Sequence, residues 1–160
     1  MELRLNCIVV TLLLISTMFE SATAAKNKII FNKGNVELSY KKIRKTIKVE
    51  LAEKQEQHAH GLMFRKKLKT NEGMLFIFSD EQLCAFWMKN TLIDLDIGYF
   101  SKKNILIDIQ QMAAENSVMQ LSVLSYPNKH PAMYALEMAK GWFKKNSFPE
   151  GTTLKIISRP

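Results

Sequence analysis

Trp87 and Lys89 stand two residues apart in the run Ala85-Phe86-Trp87-Met88-Lys89-Asn90-Thr91, where large apolar side chains lead directly into a cation, an amide and a hydroxyl. In an extended strand, residues two apart share a face, roughly 6.5–7 Å from each other. An aromatic plate beside a cation suits a sugar ring, a ring-bearing anion or a carboxylate-bearing small molecule. A strand over 83–91 would put Cys84, Phe86, Met88 and Asn90 on one face and Ala85, Trp87, Lys89 and Thr91 on the other. In the plainer alternative, Trp87 seals a core while Lys89 runs its stem over apolar surface to reach water.

Glu137 is the second residue with chemical promise. It interrupts the apolar run Met133-Tyr134-Ala135-Leu136-Glu137-Met138, where an unpartnered buried carboxylate would be costly. It either faces solvent or meets a partner such as Lys89, Arg65 or a ligand, with Lys89 the first choice because a charge-assisted pair satisfies both groups. Asp94 and Asp96 would share a strand face and could bind a cation or act as an acid–base pair, although acids flanking a turn are commoner. His58 and His60, two apart on an expected helix, would point to nearly opposite sides and could not hold one metal. Cys84 lies in an apolar setting without an activating neighbour, which fits a small core residue better than a reactive thiol. The chain has no H-E-x-x-H, no G-x-S-x-G, no phosphate-cradling glycine loop and no paired-cysteine motif. These absences remove the easily recognised hydrolases, metalloproteases and nucleotide enzymes, and no metal or cofactor is expected.

The elements that must position these residues are mostly strands. Residues 36–40 and 46–51 alternate apolar and polar, as in strands with one wet face. Residues 28–31 form a short apolar run that Asn32-Lys33-Gly34-Asn35 closes as a turn. Residues 53–60 lack β-branched side chains and end at Gly61, which predicts a short helix. Residues 73–78 are continuously apolar, the mark of a strand buried on both faces. Residues 95–100 and 105–109 flank Ser101-Lys102-Lys103-Asn104 as a hairpin. A loosely structured segment follows over 111–131, then a strand at 133–138, a short helix at 139–146 and a closing strand at 152–157. The sum is a mainly β chain, a compact jelly-roll-like β-sandwich or barrel with one or two short helices.

The N-terminus sets an expected compartment. Arg4 precedes an apolar stretch of about 15 residues, shorter than the roughly 20 a spanning helix needs. Ala22-Thr23-Ala24 follows as a small-residue cleavage site, so 1–24 reads as a signal peptide and 25–160 as one exported β domain, periplasmic or extracellular. An uncleaved membrane anchor is the alternative. Removing residues 1–24 takes the basic count from 23 to 22 and the acidic count from 15 to 13, a net charge of +9. Only Cys84 then remains, which leaves no intramolecular disulfide. The basic clusters Lys41-Lys42, Arg44-Lys45, Lys48 and Arg65-Lys66-Lys67, Lys69 lack the interleaved aromatics of a base-stacking surface. No nucleic acid partner is expected, and a salt-sensitive attraction to anionic envelope surfaces is the functional reading of that charge.

Gly61-Leu62-Met63-Phe64-Arg65, Glu72-Gly73-Met74-Leu75-Phe76-Ile77-Phe78, Phe86-Trp87-Met88-Lys89-Asn90-Thr91 and Leu95-Asp96-Ile97 occur in that order. Together with Tyr134-Ala135-Leu136-Glu137-Met138 and Gly141, they resemble the uncharacterised bacterial and archaeal family catalogued as domain of unknown function 192, over roughly residues 36–157. The resemblance implies a single jelly-roll-like β domain, often behind a signal peptide, and no established activity. Asp94 stands where that family usually has a proline, which weighs against a required Asp94–Asp96 pair. The leading functional expectation is a domain binding a small or glycan-like ligand through Arg65, Trp87, Lys89, Asn90 and Glu137. In it Trp87 stacks, Lys89 and Arg65 meet negative charge, and Asn90 fixes orientation. The alternatives are a structural or protein-interaction domain, and a hydrolase or lyase with Glu137 or Asp96 as general base.

Overall fold

The computed structural model describes residues 28–115 and 125–159. The expected signal peptide and part of the expected loose segment lie outside the described residues. Nine strands and two short helices follow in the order β1 (Asn32–Tyr40), β2 (Ile43–Ala52), α1 (Gln55–His60), β3 (Glu72–Gln82), β4 (Ala85–Trp87) and β5 (Leu95–Phe100). Then come β6 (Leu106–Met112), β7 (Ser125–Pro127), β8 (Ala132–Ala139), α2 (Trp142–Lys145) and β9 (Thr153–Ser158). The chain is mainly β and sandwich-like, as its alternation implies.

Seven strands form one sheet in the order β6-β5-β8-β3-β2-β1-β9, and β4 and β7 form a separate two-stranded ribbon. Every pairing is antiparallel except β2 with β3. That parallel pair requires a long crossover, which residues 53–71 supply with α1 inside it. The sheet curls until its edges touch: Thr153 bridges Ile105, the Leu106 N–H donates to the Thr152 carbonyl, and the Leu154 N–H donates to that of Asn104. Contact is confined to this end, so the curl stops short of a closed barrel.

Alternation on the strands then builds two apolar layers. One draws from all seven strands, among them Leu38, Val49, Leu75, Phe100, Leu106, Leu136 and Leu154, and α2 with Phe148 packs into it. The other covers the opposite face of the central strands with Met74, Phe76, Ile97, Tyr99 and Ala135. There α1 and the β4–β7 ribbon form the cover. β3 and β5 therefore lie between two cores, which explains the unbroken apolar run 73–78 in β3 and the full burial of β5, where Asp96 alone interrupts the apolar residues.

Three expectations change. Asn32-Lys33-Gly34-Asn35 is the start of β1, not a turn. A Cβ at Gly34 would lie 2.6 Å from the Ser158 carbonyl oxygen, so the glycine permits a close approach of β9. Residues 28–31 make no strand; instead the Ile30 carbonyl accepts a hydrogen bond from Gln57 Nε2. The strand expected over 83–91 keeps only β4. A turn closed by the Thr91 N–H on the Met88 carbonyl, with Asn90 at φ +56°, diverts the chain.

The ribbon is held by polar side chains that periodicity does not single out. Buried Asn128 accepts the Cys84 N–H at 2.7 Å and donates to the carbonyls of Gln82 and His130 at 3.1 and 2.7 Å. Tyr99 Oη donates to the Tyr126 carbonyl at 2.7 Å. Asn128→Ala leaves three backbone groups without this partner, and a loss of about 2–4 kcal/mol in unfolding free energy is expected. Chemical denaturation checks the magnitude, and faster amide exchange confined first to β4 and β7 checks the location.

Candidate functional site

Glu137 lies on the outer face of β8, in register with Met74 of β3 and Ile97 of β5. Its neighbours Leu136 and Met138 point into the inner core. The end of α1 closes over it. Gln57, in the first turn of α1, anchors that helix: its Oε1 accepts the N–H groups of Glu53 and Lys54, and its Nε2 donates to Ile30. The chain then leaves the helix through Gly61 at φ +49°, a conformation that disfavours a side chain. A Cβ built there would sit 4.0 Å from Glu137 Oε2, so backbone passes directly over the carboxyl.

The result is a narrow cleft with Glu137 in its wall, bounded by His58, His60, Leu62, Phe76, Trp87 and Thr91. Its free space is about 20 Å³, enough for a single water-sized group. Glu137 is only 4 % exposed, and its Oε2 has no hydrogen-bond partner among the described residues. Burial pushes the carboxyl up to about 8, so it holds its proton at neutral pH and can donate as well as accept. His58 Nε2 lies 2.9 Å from the Ala52 carbonyl, which fixes that nitrogen as the protonated one. The ring packs edge-on to Phe78.

Of the five expected site residues, Trp87 and Glu137 border this cleft. Trp87 is 49 % exposed, and Lys89 Nζ lies 5.8 Å from its ring centroid, so the aromatic–cation pair forms. The expected Lys89–Glu137 ion pair does not form among the described residues. The turn at Met88–Thr91 carries Lys89 to the surface while Glu137 stays beneath α1. Asn90 ties two loops together, accepting the Phe64 N–H on its carbonyl while its side-chain amide contacts Met63 Sδ. Arg65 pairs with Glu50 at 2.5 Å and borders a separate groove with Lys33, Lys48 and Lys69.

The acids at 94 and 96 also separate. Asp94 accepts the Ala114 N–H and pairs with Lys140 at 2.9 Å, contacts that hold its carboxyl below the usual range. Asp96 sits one register step from Ile97, the cross-strand partner of Glu137, and so points to the opposite face of the sheet. Sequence reasoning missed His58, His60, Gly61 and Thr91 as cleft residues. The Gly61-Leu62-Met63-Phe64 block was the available signal, because both imidazoles border the cleft where α1 ends at His60. Among the described residues, no three His, Cys, Asp or Glu side chains converge as a metal site.

The family model of domain of unknown function 192, described as Uncharacterized ACR, matches residues 36–156. A crystal structure from Sinorhizobium meliloti 1021, described as a candidate transcription regulator, superposes with a TM-score of 0.71 at 27 % identity, covering 81 % of this chain and 97 % of that one. A protein of unknown function from Novosphingobium aromaticivorans superposes with a TM-score of 0.69 at 26 % identity, covering 76 % and 83 %. No curated protein matches the chain.

The raised Glu137 carboxyl fixes a pH dependence. From its ordinary value of 4.5 up to about 8, the unfolded chain loses this proton while the folded chain keeps it. Folding stability therefore falls as pH rises through that window, by an amount on the order of a few kcal/mol. Glu137→Gln, neutral and nearly isosteric, is expected to flatten the profile and to gain on the wild type most at pH 8. Denaturation midpoints measured from pH 5 to pH 8 check this, and parallel profiles for the two proteins would refute it.

Proposed function

Because the chain belongs to the uncharacterised family of domain of unknown function 192, we propose that it is an exported binding domain whose Glu137 cleft receives one polar group of a small, glycan-like ligand. The observation that carries this reading is Glu137 Oε2, buried without a partner among the described residues in a cleft bordered by a half-exposed Trp87. A neutral carboxyl can both give and take a hydrogen bond with a hydroxyl or amide. The free space admits only such a group, so a sugar ring would rest outside, its apolar face on Trp87. Lys89 beside that ring favours ligands with negative or carbonyl character at the rim.

An enzymatic role for Glu137 has less support. A carboxyl that keeps its proton at pH 7 is a poor general base, and neither Lys89 nor Arg65 borders the cleft to stabilise developing charge. Asp96, the other expected base, belongs to the opposite sheet face. The regulator description of the Sinorhizobium meliloti relative does not carry nucleic-acid binding to this chain. The described helices have six and four residues, and the expected export segment points away from chromosomal DNA. A net charge of +9 on the exported chain would instead favour residence near anionic envelope surfaces.

A thermal-shift screen of envelope metabolites and oligosaccharides tests the reading. At least one compound is expected to raise the wild-type melting temperature, since ligand at 100 Kd adds about 2.7 kcal/mol. Trp87→Ala and Glu137→Gln should each weaken that effect by about tenfold or more in Kd. Equal shifts in wild type and both variants, or no shift from any compound, would defeat the proposal.

A further inference from the structure

Two buried side-chain oxygens lack a hydrogen-bond partner among the described residues: Glu137 Oε2 and Asp96 Oδ1. The first belongs to the cleft above. The second borders a different depression, on the other face of the sheet. Asp96 is 2 % exposed, and its Oδ2 accepts only a long bond of 3.4 Å from the Phe143 N–H. Native interiors rarely leave a buried carboxyl so poorly matched.

The depression has a volume of about 580 Å³ and opens between the β1–β2 turn, the end of α2 and the inner faces of β5 and β6. Tyr40, Ile43, Ile109, Phe143 and Phe148 make its walls largely apolar. Both volume and lining match small-molecule sites, typically roughly 300–1,000 Å³ with few polar groups. Lys41 and Lys144 also border it, yet neither pairs with Asp96 among the described residues.

We infer that this depression is a second binding site, for an apolar molecule bearing a primary ammonium group that docks on Asp96. The apolar body covers the Phe143, Phe148 and Ile109 surface and keeps water from the carboxyl. An ammonium group brings three donors, enough to reach Oδ1 and strengthen the weakly bonded Oδ2, whereas a hydroxyl brings one. Opposite charge shortens and roughly doubles the strength of such bonds. The two lysines at the rim repel a cation and attract an anion, so the preference for the amine comes from Asp96 itself.

Titration of the ¹⁵N-labelled full chain with phenethylamine tests the assignment, with phenethyl alcohol and 3-phenylpropionate as its neutral and anionic counterparts. The amine is expected to shift the Gln111, Phe143 and Lys144 amides saturably, with at least tenfold tighter binding than either counterpart. Asp96→Asn retains an oxygen for the Phe143 N–H and should lose at least tenfold in affinity, while Glu137→Gln binds the amine as wild type does. If Asp96→Asn fails to fold, the wild-type ranking of amine over alcohol decides alone. No saturable shift at these amides, an alcohol that binds as well as the amine, an unaffected Asp96→Asn, or shifts confined to Trp87 would each overturn the inference.

Discussion

β3, β5 and β8 run through the middle of the sheet with apolar layers pressed on both sides. A polar group in the doubly covered middle of these strands is cut off from water by protein above and below it. Phe76 and Leu75, or Ile97 and Phe100, can satisfy that setting by packing alone. Asp96 and Glu137 cannot, and they sit one register step apart on opposite faces of the same strand pair. Double burial thus turns two ordinary acidic residues into groups with unspent hydrogen-bonding capacity. Such groups cost stability, and they recur where a protein has something to bind.

The outer cover works differently from the sheet beneath it. α1 has six residues and β4 and β7 have three each, too short to stand on backbone bonding alone. Polar side chains make up the shortfall: Gln57 fastens the helix to residue 30, and Asn128 locks the corners on either side of the ribbon. Asp108 belongs to the same scheme. Burial acts to raise its carboxyl, but hydrogen bonds from Gln110 and Lys129 prevail and hold it below the usual range. These fastenings let Gly61 and Trp87 approach the sheet closely enough to leave a cleft without filling it.

Part of the positive charge does local structural work. Lys45 bonds to the Asn146 side chain and lies over the Trp142 ring, and Arg65 is taken up by Glu50. Neither expected basic cluster acts as one patch directed at the cleft. The lysine nearest the Trp87 rim is Lys89, and it lies over that aromatic ring rather than against an acid among the described residues.

The sequence by itself determined most of the long strands, the double burial of β3, the hairpin around 101–104 and the family. It also singled out the Phe86–Thr91 run and Glu137. These features are written in local period and composition, because a side chain two residues on must return to the same face. Tertiary structure alone decided that Lys89 turns away from Glu137, that Arg65 serves Glu50, that two histidines join the cleft and that Asn128 locks the ribbon. It also decided that Asp96 and Glu137 look in opposite directions. Each of those outcomes depends on how far apart two chain-distant residues end up once the sheet has curled and its covers have docked. No periodicity encodes that distance; it follows from packing, in which one positive-φ turn at Asn90 can send a cation to the surface instead of the cleft.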